Sequence, residues 1–97
     1  MDIFQRARVY KTMFRAWGLS DPEVETFLTL PRVTLRELYS IHATLSALFV
    51  NPDDEARWLR EPLPILDNLS PLEDMLQNGM VGVTRVEALT ERMANRN

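Results

Sequence analysis

Cysteine is absent from the 97 residues. That absence excludes disulfides, thiolate zinc sites and thiol nucleophiles together, and it suits a reducing compartment. Histidine occurs once and glycine three times, each glycine isolated, so no glycine-rich phosphate loop exists. Long apolar runs are missing as well. No stretch approaches the length of a membrane span, and Arg6, Arg8, Lys11 and Arg15 interrupt the first twenty residues, leaving no signal-peptide core. The expected location is the cytoplasm. An excess of positive charge is also lacking: 11 basic against 14 acidic side chains give a net charge of −3. A typical nucleic-acid-binding domain is basic overall. The imbalance is uneven, with six basic and five acidic side chains over residues 1–49 and five basic and nine acidic over 50–97.

What is present belongs to a globular domain. The chain is 45% hydrophobic and 26% charged, and its length fits one domain. A chain this short buries only about 60–65% of its unfolded surface, so it must pack efficiently or bury more against a partner. Three Ser/Thr-x-x-Glu capping boxes, Ser20–Glu23, Thr34–Glu37 and Ser70–Glu73, mark helix starts. Asn51-Pro52-Asp53-Asp54 marks a fourth, with Asn as cap, Pro at the first helical position and acids at the positive end of the helix dipole.

The spacing predicts a first helix over 3–16. Its apolar stripe is Ile3, Ala7, Tyr10, Phe14 and Trp17, with Arg8, Lys11 and Arg15 on another face and Gly18 as a left-handed stop. A short helix over 21–29 turns Val24, Phe27 and Leu28 inward and ends at Pro31. The third, over 35–49, carries an arc of Leu35, Leu38, Ile41, His42, Leu45, Leu48 and Phe49, wide enough to pack against several neighbours. A helix over 52–60 ends in Trp58-Leu59, and Pro62 and Pro64 then hold the chain extended. The apolar segment 61–69 should pack on the helices. The Ser70 box starts a helix running to about Gln77, stopped by Asn78-Gly79. A last helix over 80–94 points Val83, Val86, Leu89 and Met93 inward and Arg85, Arg92 and Arg96 outward. No strand-like alternation occurs and nothing repeats. The expected fold is all-α, a compact single domain of about six helices.

Few residues invite chemistry. His42 lies within the apolar arc of the third helix with no nucleophile or carboxylate at a helical spacing to orient it, so it reads as a partly buried core histidine. Asp53, Asp54 and Glu55 lack the alternating ligands and central glycine of a calcium loop, and helix-dipole stabilisation explains them. Arg8, Lys11 and Arg15 are candidates for phosphate contact, though a solvated face is the default reading of them. Trp58 suits either an interface anchor or the core. No catalytic residue, metal site or cofactor is expected.

The run Ser40-Ile41-His42-Ala43-Thr44-Leu45-Ser46-Ala47-Leu48-Phe49 is followed by Arg57-Trp58-Leu59, Glu61-Pro62, Leu66, Leu69-Ser70-Pro71-Leu72-Glu73-Asp74-Met75-Leu76, Gly79 and Val86. Over about residues 40–94 this pattern resembles the toxin-binding domain of Xre/MbcA/ParS antitoxins. Ala16-Trp17-Gly18-Leu19-Ser20 resembles the start of that family's helix-turn-helix, but Leu30-Pro31-Arg32-Val33 leads straight into the third helix where family members have a further helix and turn. The expected organisation is thus a truncated helix-turn-helix region over 1–39, packed as one domain with a toxin-binding region over 40–97.

The resemblance implies a type II antitoxin, not an enzyme. Its partner would be a cognate NAD-consuming toxin, either a RES-domain protein that degrades NAD or a ParT-like protein that transfers ADP-ribose. It implies that the C-terminal region occludes the toxin's active site. Trp58, Pro62, Leu66, Met80, Arg85, Arg92, Asn95, Arg96 and Asn97 are the candidate toxin-binding residues, because a polar, basic helix end suits a pocket made for the anionic pyrophosphate of NAD. A homodimer is compatible with this reading, and DNA binding is in doubt. The alternative is a transcriptional regulator with a compact helix-turn-helix built from residues 21–29 and 34–49. Against it, a DNA-reading helix must show a polar face to the groove.

Overall fold

The computed structural model describes residues 3–96, with side chains from Arg8 onward. The side chains of Ile3 and Ala7, and the whole of Asn97, lie outside the described residues. Five α-helices and one 3₁₀ turn follow in order: α1 Ile3–Ala16, α2 Asp21–Leu28, α3 Arg32–Leu48, α4 Pro52–Leu59, the turn Pro64–Leu66, and α5 Pro71–Asn95. Among the described residues there is no strand, and no helix is long and apolar enough to cross a membrane. The fold is the all-α arrangement that the capping signals and periodicity indicate.

Two of the three capping boxes form. The Ser20 and Ser70 hydroxyls accept from the backbone N–H groups of Glu23 and Glu73, and each glutamate accepts in return from its serine's N–H. Asn51 caps α4 through Oδ1, which accepts from the Asp53 N–H. The expected Thr34 box does not form. α3 begins three residues earlier, with Pro31 at the cap position and no side-chain cap. Thr34 is buried inside the first turn, and Glu37 instead accepts a hydrogen bond from Thr84 Oγ1 at 3.0 Å. Pro31 leaves a backbone already compatible with helix entry, so the helix starts upstream of the hydroxyl that was expected to start it.

The core gathers Met13, Phe14 and Trp17 of α1 with Phe27 of α2, Leu38, Ile41 and Leu45 of α3, and Leu59 of α4. Leu66, then Leu72, Met75, Val83 and Val86 of α5, complete it. Phe14 stacks on Phe27 at 5.6 Å between ring centroids. α3 packs most extensively on α5 and also meets α1 and α4, which is why its apolar arc is wide. Two inward assignments fail: Leu28 and Ile65 remain exposed, Leu28 at 41% and Ile65 at 62%. α2 is only two turns long, so its single buried anchor is Phe27. The 61–69 segment is not extended throughout. It curls into the 3₁₀ turn and closes on itself, the Leu63 N–H donating to Leu69 C=O, so that Leu66 turns in and Ile65 out.

Candidate functional site

The two expected C-terminal helices form one helical span broken at Gly79, whose φ of 55° and ψ of −129° no longer belong to a helix. Such a backbone suits glycine alone. The break folds the second arm, residues 80–95, back beside the first. Their backbones come close at Gly82, where a Cβ would overlap the carbonyl oxygen of Asp74 and lie 2.8 Å from its carbonyl carbon. Two small-residue positions thus set the angle between the arms.

An ion pair between a buried carboxylate and a partly exposed guanidinium holds that angle. Asp74 is 1% exposed. Arg85 grips it in a fork, Nε donating to Oδ2 at 2.8 Å and Nη2 to Oδ1 at 2.6 Å, and Asn78 Nδ2 donates to Oδ1 at 2.7 Å. The Arg85 hydrogen bonds hold the Asp74 carboxyl below its ordinary value against the opposing effect of burial, and the same bonds raise the Arg85 guanidinium. Of the candidate basic residues, Arg85 is therefore already committed on one side, while its remaining surface borders a groove.

That groove lies between the second arm and the 3₁₀ turn and is lined by Ile65, Leu66, Arg85, Ala88, Leu89 and Arg92. Leu66 is mostly buried and forms its floor; Ile65 stands at its rim. Arg85 and Arg92 are two turns apart on one helix edge, and Arg92, Asn95 and Arg96 are all exposed beyond it. Arg85 also lines a neighbouring hollow with Met80, Val81 and Thr84, where Met80 is 50% and Val81 65% exposed. The candidates Met80, Leu66, Arg85 and Arg92 therefore meet on one continuous surface. Trp58 is half-buried against the core, and Pro62 is exposed in the loop after α4. Neither lines the groove. Val81 and Ile65 belong to this surface but escaped the sequence reading, which did not single out Val81 and expected Ile65's segment to pack on the helices.

A second polar cluster lies elsewhere. Glu55 is 3% exposed and accepts from Trp17 Nε1 at 2.6 Å, His42 Nδ1 at 2.6 Å and Ser46 Oγ at 3.0 Å. This corrects two expectations. Glu55 is more than a helix-dipole acid: it ties α1, α3 and α4 together. His42 does have neighbours to orient it, Ser46 one turn on and Glu55 from α4. The arrangement is nonetheless no catalytic triad. Serine and carboxylate approach the same nitrogen, Nδ1, and Ser46 Oγ spends its proton on Glu55, whereas a relay needs them on opposite ring nitrogens. Among the described residues no group of three His, Cys, Asp or Glu side chains is placed to hold a metal. Arg8, Lys11 and Arg15 of α1 are exposed.

No curated protein and no solved structure matches the chain. Residues 44–96, more than half of its length, match the model of the antitoxin Xre/MbcA/ParS C-terminal toxin-binding domain. The matched segment contains α4, the 3₁₀ turn and the whole of broken α5. The chain belongs to the Xre/MbcA/ParS family of antitoxin toxin-binding domains.

Proposed function

We propose that the protein is the antitoxin of a type II pair acting in the cytoplasm, and that it neutralises an NAD-consuming toxin of RES or ParT-like type by covering the mouth of its active site. The second arm of α5 supplies the covering surface. The observation that carries this reading is the exposed edge Arg85, Arg92 and Arg96 beside the apolar groove under Ile65, within the segment that matches the toxin-binding domain. Guanidinium groups on a rigid helix suit a cleft built for a dinucleotide's phosphates, and the adjoining apolar groove can exclude water from the contact. The protein needs no chemistry of its own for this role.

The match of residues 44–96 to a toxin-binding domain favours this reading over the DNA-binding alternative. The test is coexpression with the toxin encoded beside it. Cells making toxin alone should stop growing and lose NAD; cells making both should grow with NAD restored. Continued killing in the presence of soluble, folded protein would reject the proposal.

A further inference from the structure

The second arm of α5 and α3 run parallel, and their register can be read from two contacts. Thr84 Oγ1 donates to Glu37. One turn later, Glu87 lies against Ser40 and Glu37, its carboxyl raised above the ordinary value first by burial and then by the Glu37 charge. One turn earlier, the same register brings Val33 of α3 to the level of Met80 and Val81 of α5. All three are exposed, at 57%, 50% and 65%. Beneath them the α2–α3 connection closes on the α5 break: Leu30 Cδ2 stands 3.9 Å from where a Cβ on Gly79 would be. Two β-branched residues and a methionine facing solvent at one end of a helix pair are more than scattered surface apolarity.

We propose that the toxin-binding surface extends across this apolar platform, beyond the matched segment, and docks an apolar patch of the toxin with an acidic rim. The proposal rests on the reading of the α5 arm as toxin-facing. Two observations select this occupant. The platform is continuous with the groove, since Arg85 lines both the groove and the hollow at Met80 and Val81. Its rim is basic: Arg32 and Arg36 flank Val33 on the exposed side of α3, and Arg85 borders Met80 and Val81. A second copy meeting this face about a two-fold axis would bring a rim of the same positive sign against it, whereas an acid-rimmed partner is attracted by it. Val33 has the further property of lying outside residues 44–96, so its part in binding is separable from that of α5.

The experiment is calorimetric titration of the purified protein with the toxin encoded beside it, comparing the unaltered chain with Val33→Glu, Met80→Glu and Arg36→Glu, each checked for an unchanged melting temperature and with its oligomeric state measured. The expected result is a loss of affinity of roughly tenfold or more for Val33→Glu and Met80→Glu. Arg36→Glu should bind more weakly and show a shallower salt dependence. If the unaltered chain binds and folded Val33→Glu and Met80→Glu bind equally well, the platform is not part of the interface and the proposal is overturned, with the α5 reading intact. If the unaltered chain does not bind, both fail. If Val33→Glu turns a dimer of the free protein into a monomer while toxin affinity holds, the platform is a self-interface and the proposal is likewise overturned.

Discussion

At the scale of single residues, the structure concentrates its polar energy in two carboxylates. Glu55 accepts three side-chain donors. Glu55→Ala strands the buried indole N–H of Trp17 and the donors of His42 and Ser46, at a cost of roughly 3 kcal/mol. Urea unfolding followed by tryptophan fluorescence should show the lower midpoint. Asp74→Asn should cost roughly 1–2 kcal/mol, reduced from the value of a fully buried charged hydrogen bond because the Arg85 side is partly exposed and screened. The pH dependence has a definite sign. Asp74 is lowered in the folded state from an ordinary 3.8, so its contribution is complete above that value and is lost as pH falls below it. Glu87 is raised from 4.5, so its ionisation costs stability as pH rises through the folded value, and Glu87→Gln should be neutral or stabilising at pH 7. Melting curves of both variants against pH check the two signs. Neither carboxylate's role was legible in the sequence. Glu55 sat in a run of acids that already had a sufficient explanation in the helix dipole, and the partners of Asp74 and Glu55 come from separate elements.

At the scale of elements, the helices were legible where the signal was local. Ser20–Glu23, Ser70–Glu73 and Asn51-Pro52 each cap within one turn, and Gly18 ends α1 with a φ of 70°. Thr34–Glu37 has the same letters and fails, because Pro31 starts the helix first and the core takes the threonine. The Asn78-Gly79 stop was also legible, but not its consequence, a hinge that folds the second arm onto the first at Gly82. That contact joins residues eight apart across a non-helical break, outside any helical periodicity. Gly82→Ala should therefore be the most damaging small substitution in α5, costing roughly 3 kcal/mol because its methyl meets backbone rather than a yielding side chain. Gly79→Ala should cost about 1–3 kcal/mol through backbone strain, since its methyl would meet only Leu30 Cδ2, at an ordinary contact distance of 3.9 Å. Thermal unfolding of the two variants should rank them in that order.

At the scale of the whole molecule, one packed unit presents one asymmetric surface. α2, α3 and α4 pack on α5, the first arm fixes the second through Gly79, Gly82 and the Asp74–Arg85 fork, and the second arm buries Val83 and Val86 while its arginines face outward. The ordered signals from Leu45 to Val86 made the family readable. The shape of the surface was not, because Met80, Val81, Ile65 and Val33 become neighbours or rims only after the arms fold back. The account's central claim is that Arg92 and Arg96 act on the toxin rather than on the fold, and the most direct measurement is titration of the toxin's NAD consumption with the purified protein. The unaltered chain should abolish activity near one equivalent. Arg92→Glu/Arg96→Glu, with an unchanged melting temperature, should require about tenfold more protein or greater. Equal inhibition by the two proteins would contradict the account.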